Sequence, residues 1–509
     1  MRLYVVMGTL VCLVIASFAM NSRVLVQEPD EDPPETLVMA VPVEIRDLFP
    51  LSAVDPVTRL ATHLVHEPLA TYDARGHLEP VLAQSWYTDD GGQTWTVHLQ
   101  PNVSWHDGTP FTAADVVFTY MLGKKGEELP FPLTQQFENL LGVTQVHDHL
   151  VKLKLRRPEG TPPALITIPL VAQHWVEKQG TWAYNTYTLG TGPFTLQQWS
   201  PHTATIFTAH SDHWRAAPAL DAIEMVPFND RELRTRSVLS GFAHCALDPG
   251  SSAEGVRLLP PVDVVYLAMP SVGPFLVYRA ARRAIDVALA QGLREMETVP
   301  GIPATGPWPP LSPLHRPEEE MLIDEDPNTI LDDIGWTDRD DDGVRMSDDQ
   351  RAEFTLMVPI WEDLPQVANW IATCLQEIGV SAIIETTSLI DVEKRLAGGD
   401  FEAALVQVRT GPHFDLGHLL SSSAIGTGYN DARYQNPTMD LLLHSLVASP
   451  PGAREEASRE ILDLLVQDVP AAWLYYPQTR VLISAAVQNL EWIPGPLLYH
   501  PEMIRVVGP

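Results

Sequence analysis

From Thr94 to Leu99 polar and apolar residues alternate (Thr, Trp, Thr, Val, His, Leu), the period of a strand with one buried face. Gly91 and Gly92 precede it and suit a turn that needs positive φ, so 86–88 is the expected partner strand. Thr112 and Asp115, ahead of Val116, Val117 and Phe118, form a capping box that opens a short helix, and Gly123 is placed to close it. The same alternation predicts strands at 36–43, 146–155, 194–196, 223–227, 353–359, 380–386, 401–408 and 481–487. Helical spacing predicts a helix capped by Asp55 and begun by Pro56, and a second from Asp230 to Leu239, ended by Gly241. Further helices are expected at 172–178, 279–293, 363–379, 391–397 and 454–467. The proline-rich 301–313 reads as irregular. Gly190-Thr191-Gly192 is followed by Pro193 and a strand, so it is a turn and not a phosphate cradle, which needs a helix behind it. Strand–helix–strand alternation makes this an α/β chain wound on mixed sheets.

Met1-Arg2 and the apolar run 3–20, with Ser17-Phe18-Ala19 as a small-x-small site, form a secretory signal or an uncleaved membrane anchor. A flexible acidic tether follows, giving 1–22 as leader and 23–37 as linker. The 509 residues suffice for two or three domains with full cores, and 45% hydrophobic residues with 13 Trp mark a globular protein. The formal charge of −32 argues against nucleic acid as a partner, and membrane contact is expected only through the N-terminal segment. Three cysteines build no disulfide framework; Cys245 and Cys374 read as buried free thiols. Cys12 lacks the small preceding residue of a lipidation site.

The stretch 79–123, with Leu82-Ala83-Gln84-Ser85-Trp86, the Gly-Gly hairpin, and Trp105-His106-Asp107-Gly108-Thr109-Pro110-Phe111 running on to Phe118, resembles the signature of the family 5 (peptide/nickel/opine type) solute-binding proteins of ABC importers. Leu189 to Leu196 is similar to that family's G-T-G-P-Y/F strand entry. Asp212-His213-Trp214 before 218–223, and Tyr434-Gln435-Asn436-Pro437 leading to Leu443, resemble two more of its segments, so the likeness spans about 40–480. It implies a two-lobed periplasmic-binding-protein-like clamshell. Lobe I would be 38–265 with 478–509 and carry a β-rich subdomain, lobe II would be 266–477, and the hinge would lie at 262–270 and 470–477. It also implies a monomeric, exported, periplasmic or extracytoplasmic receptor without catalysis. Such a receptor captures a small organic or peptide-like solute and delivers it to ABC permease subunits. A secreted hydrolase using 413–423, and an anchored sensor of the same fold, are the alternatives.

Candidate ligand residues cluster late in the chain. His413 stands where peptide-binding members resembling this chain place an aspartate for the ligand amine, and Asp415 matches a second acidic position. A plain peptide is therefore not the expected ligand. Arg409 could pair with a carboxylate or phosphonate, and Trp361, Phe414, Tyr429 and Tyr476 are the candidate aromatic lining, each with core packing as its alternative. No G-x-S-x-G or H-E-x-x-H accompanies His413, His418 and Ser421–Ser423, so these read as cleft loops, with His413 and His418 a weak metal pair. Asp338, Asp340, Asp342 and Asp349 take positions 1, 3, 5 and 12 of an EF-hand-like loop with Gly343 at 6, which leaves a calcium site beside the simpler reading of a solvated turn. No other cofactor is expected.

Overall fold

The computed structural model describes residues 35–507 apart from 46, 54, 126–136, 138, 182–183, 185–186, 201, 251–253, 297–300, 318–324, 362, 411–414, 427, 494 and 496. The leader, Cys12 and the linker up to 34 lie outside the described residues. The expected linker nevertheless ends early, because Thr36 already opens the strand Thr36–Val41. Glu35 to Pro509 clusters as one compact unit.

Two large mixed sheets organise it. The seven-stranded sheet runs, in spatial order, Arg257–Leu258, Arg480–Ile483, Cys245–Leu247, Thr36–Val41, Ala222–Pro227, Ala204–Ala209 and Phe194–Ser200. The six-stranded sheet runs Gly301–Pro303, Ala471–Pro477, Asp263–Ala268, Ala403–Arg409, Glu353–Pro359 and Ser381–Thr387. Each mixes parallel and antiparallel pairs: Thr36–Val41 lies parallel to Ala222–Pro227, whereas Asp263–Ala268 lies antiparallel to Ala403–Arg409. A four-stranded antiparallel sheet, Ala83–Tyr87, Thr94–Leu99, Leu150–Leu155 and Leu140–His147, is the expected β-rich subdomain, with its own core around Trp95, Trp105 and Phe111.

The elements depart from expectation at points with physical causes. The strand expected at 146–155 is a hairpin, Leu140–His147 and Leu150–Leu155, and Val146 belongs to its exposed first arm. Gly123 does not close its helix, which continues through Ala113–Lys125; a Cβ there would sit 2.2 Å from the Phe137 ring, so the glycine admits that ring. The proline-rich segment contributes an edge strand, Gly301–Pro303, where a proline costs no ladder bond. The lobe boundary moves too. Asp263–Ala268 lies wholly inside the six-stranded sheet, so the chain passes between sheets at 259–262 and returns at 478–479. The two passages are joined, Leu259 N–H donating to the Thr479 carbonyl at 2.9 Å. Cys245 is buried and Cys374 half-buried, both as free thiols.

The motif segments meet in a structural knot. His106 donates through Nε2 to the Gly192 carbonyl at 2.8 Å, and its backbone N–H reaches the Gly190 carbonyl at 2.9 Å. Glu67, at 6% exposure, accepts from Thr191 Oγ1 at 2.9 Å and Trp214 Nε1 at 2.8 Å. A Cβ on Gly190 would lie 1.7 Å from the Val65 carbonyl oxygen, so only glycine lets this turn press on the helix Pro56–Val65. These contacts lock the Pro56–Val65 helix to the sheet.

Candidate functional site

Where the two sheets face each other, Asp263 opens one strand of the six-stranded sheet and Arg409 ends its neighbour. They are register partners, so their side chains share a face. The Arg409 guanidinium packs against Gly495, from the returning C-terminal segment, whose Cβ position would be 1.6 Å from Nη2. From the other sheet comes the Pro56–Val65 helix. Asp55 caps it, its Oδ1 accepting from Val57 N–H at 3.0 Å and Thr58 N–H at 2.9 Å, which aims the first turn and Arg59 at the junction. Burial pushes the Arg59 pKa down to about 9, and the Arg409 charge acts in the same direction, while Asp263 and Asp55 oppose it. Burial lowers Arg409 as well, with Asp263 opposing. Asp263 Oδ2 accepts from Gln407 Nε2 at 3.0 Å. Its Oδ1, like Arg59 Nε and Thr410 Oγ1, is buried with no hydrogen-bond partner among the described residues.

Two contact sets close the junction on either side. Arg231 reaches Asp363 across it. On the other flank, Gly160 N–H donates to the Val447 carbonyl at 2.9 Å, and Arg454 Nη2 lies 3.4 Å from Thr161 Oγ1. Beside these, Glu159 is pushed up to about 7 by burial and by the Asp415 charge, against the pull of its 2.6 Å hydrogen bond from Asn139 Nδ2.

The sequence candidates divide. Arg409 is at the junction, as is Tyr429, whose electrostatic partners include Arg59 and Asp263. Asp415 is exposed and caps a short turn, accepting from Gly417 N–H at 2.8 Å, close enough to Glu159 to raise its pKa. His413 and Phe414 lie outside the described residues. Trp361 is half-buried on the core of the six-stranded sheet, two residues before Asp363. Tyr476 is a correction: it is fully buried, donating to the Gly306 carbonyl at 2.9 Å and accepting from Thr305 N–H at 3.3 Å, and so pins the edge strand instead of lining a cleft. Arg59, Asp263 and Glu159 escaped the sequence reading. The one available signal was Arg59, a charge within a helix whose neighbours Val57, Thr58, Leu60 and Ala61 are all buried.

Among the described residues, the candidates of the hydrolase reading do not assemble. Ser421 Oγ lies 2.9 Å from Ser423 Oγ, and His418 bonds to the backbone of Arg409 and Asp415, its pKa lowered by burial. In the acidic turn Asp340 Oδ1 accepts from Val344 N–H at 2.8 Å and Asp342 N–H at 3.0 Å, while Oδ2 meets Arg351. Asp342 and Asp349 are exposed, and the Asp338 side chain lies outside what is described. Among the described residues no three His, Cys, Asp or Glu side chains converge as metal ligands. Near the Glu67 knot a cavity of about 40 Å³ is lined by His63, Glu79, Arg215 and Tyr499. That is room for water, against roughly 300–1,000 Å³ for a solute pocket.

The family model for bacterial extracellular solute-binding proteins, family 5 (middle region), matches residues 77–427. Protein XP55 of Streptomyces lividans is 30% identical over 458 residues, 85% of this chain and 82% of that protein. Two solved structures share the fold. The oligopeptide-binding protein AppA of Bacillus subtilis, in complex with a nonapeptide, gives a TM-score of 0.78 at 20% identity, covering 94% of this chain and all of the other. NikZ of Campylobacter jejuni, in complex with Ni(L-His), gives 0.75 at 19% identity, covering 92% and 98%.

Proposed function

The chain belongs to the bacterial extracellular solute-binding proteins of family 5, and from that premise we propose that it is the substrate-binding component of an ABC-type importer, exported from the cytoplasm and acting by binding without catalysis. Two lobes, roughly 35–259 with 480–507 and 263–477, open and close about the paired passages at 259–262 and 478–479. Ligand favours the closed form, and the permease subunits receive it from there.

The observation that carries this reading is the junction itself. Arg59 and Arg409 are half-buried at the junction, flanked on both sides by contacts that separation would break: Arg231 to Asp363, and Gly160 to Val447. Among the described residues Ser421 bonds to Ser423 and His418 bonds to backbone, which speaks for the receptor over the hydrolase alternative.

Native mass spectrometry of the freshly purified chain tests the proposal. A co-purified small molecule is expected, and its removal should increase the radius of gyration in solution scattering. An unchanged radius with and without the solute would count against closure.

A further inference from the structure

The last hairpin of the chain reaches from one lobe to the other. Glu491–Ile493 pairs antiparallel with Leu497–Tyr499, Ile493 opposite Leu497, which puts Gly495 midway between the arms. The arms belong to the first lobe. Trp492 and Leu498 are buried in the core of the seven-stranded sheet, and Tyr499 Oη donates to Glu79. Just beyond them the Glu502 carbonyl accepts from Ala219 N–H at 3.0 Å. Gly495 itself meets the second lobe. A Cβ there would lie 1.6 Å from Nη2, 2.7 Å from Cζ and 3.1 Å from Nη1 of Arg409, so the guanidinium is seated where a side chain would stand. The φ of Gly495, +95°, is one that glycine adopts freely and alanine does not. The charges acting on Arg59 balance, Asp263 and Asp55 against Arg409 and Arg59 itself, so the seat is a matter of shape and not of net charge.

We infer that the Gly495–Arg409 contact is a latch: Arg409 of the second lobe takes its seat on the hairpin of the first when the lobes close, and Gly495 is a positioning residue for solute capture. Both halves of the latch are fixed to their own lobes. The hairpin is held at its base by Tyr499 and its buried side chains, so its turn does not follow Arg409 when the lobes part. Arg409 ends the strand Ala403–Arg409, which has Asp263–Ala268 on one side and Glu353–Pro359 on the other, so its backbone moves with the second lobe. The latch adds a steric contact to the two hydrogen-bonded ones that cross the same junction, Arg231 to Asp363 and Gly160 to Val447. Any side chain at 495 displaces the guanidinium from its seat and so holds the lobes apart. This assignment rests on the solute-receptor reading above.

Hydrogen exchange on the full chain as purified tests the latch without an identified solute. Gly160 N–H donates to the Val447 carbonyl across the junction, so its exchange reports opening. Phe228 N–H, bonded to the Val41 carbonyl inside the first lobe, and Ala304 N–H, bonded to the Leu474 carbonyl inside the second, report the lobes themselves. The wild type is compared with Gly495→Ala, Arg409→Ala and the double variant. Gly160 should be protected in the wild type. Gly495→Ala should speed its exchange at least about tenfold while Phe228 and Ala304 hold steady. The double variant should exchange at Gly160 several-fold more slowly than Gly495→Ala, because no guanidinium is left to clash. Full protection of Gly160 in Gly495→Ala, or a double variant as fast as Gly495→Ala, overturns the latch and leaves the receptor reading standing. Loss of protection at Phe228 together with Gly160 in Gly495→Ala also overturns it, since the glycine would then support the first lobe alone. An unprotected Gly160 in the wild type removes the closed junction, and the receptor reading weakens with the latch.

Discussion

The Arg231 guanidinium bridges the two sheets: Nη1 and Nη2 donate to the two carboxylate oxygens of Asp363 at 2.9 and 3.2 Å, while Nε holds Asp248 on its own side at 2.8 Å. Only the Asp363 arm would break if the proposed lobes part. At 34% and 40% side-chain exposure the pair is worth about 0.5–1 kcal/mol after solvent screening. Asp363→Asn should therefore weaken solute affinity about two- to fivefold, and Asp248→Asn should change it less. About 0.5 M NaCl should weaken the wild type similarly and leave the Asp363 variant nearly unaffected. Calorimetry with the re-added co-purified solute reads both effects.

Beneath the junction Tyr266 Oη donates to Asp431 Oδ2 at 2.9 Å, and burial pushes the Asp431 pKa up to about 7 against the pull of that bond. A raised carboxyl pKa means that the native state binds the extra proton between about pH 4 and 7, so stability falls as pH rises through that window, by at most ~1.4 kcal/mol per pH unit. Asp431→Asn keeps an acceptor for Tyr266 and carries no charge. It should melt higher than the wild type at pH 8, with the gain shrinking to nothing near pH 4. A gain that stays constant with pH would assign the effect to packing.

At Gly123 two effects oppose each other. Alanine in a helix interior gains about 1 kcal/mol over glycine, yet its Cβ would sit 2.2 Å from the Phe137 ring. Overpacking of that kind costs about 1–3 kcal/mol and wins. Gly123→Ala should lower the denaturation midpoint, and in the Phe137→Leu background the same substitution should be neutral or stabilising.

Much of the architecture was legible because its signals are local. Asp55 and Asp230 cap where capping chemistry requires, and Gly91, Gly241, Gly379 and Gly399 all adopt positive φ at turns or helix ends. Gly123 misled because a helix-ending glycine and a ring-admitting glycine look alike until Phe137 is seen above it. The site was half legible. Arg409 stood out at a strand end, but its register partner Asp263 lies 146 residues earlier (409 − 263), and Arg59 arrives from the opposite sheet. Charge pairs made by tertiary contact leave no spacing to read. Tyr476 failed for the reverse reason: an aromatic beside a crossing looks like lining, and only its buried hydroxyl bonds show it to be a brace.

Closure should depend on pH through Glu159. Its neighbours across the junction are Asp415, which raises its pKa, and Arg454, which with Arg157 lowers it; burial is the largest influence, and the result is about 7. Opening the lobes removes much of that burial and separates Glu159 from Asp415, so its pKa should fall toward the ordinary 4.3. The closed form then binds a proton that the open form releases between about pH 4.3 and 7. Closure is favoured in the acid part of that window and loses the benefit as pH rises through 7. Affinity for the solute should thus fall between pH 5.5 and 8, by about tenfold or less because Glu159 is only partly shielded from water. Glu159→Gln, neutral throughout and still able to accept from Asn139, should flatten the profile at the acid-side affinity. Asp415→Asn removes the nearest like charge and should move the midpoint to lower pH without abolishing the slope. Calorimetric titrations at four pH values on the three proteins would decide; a wild-type slope that survives in Glu159→Gln would place the titrating group elsewhere.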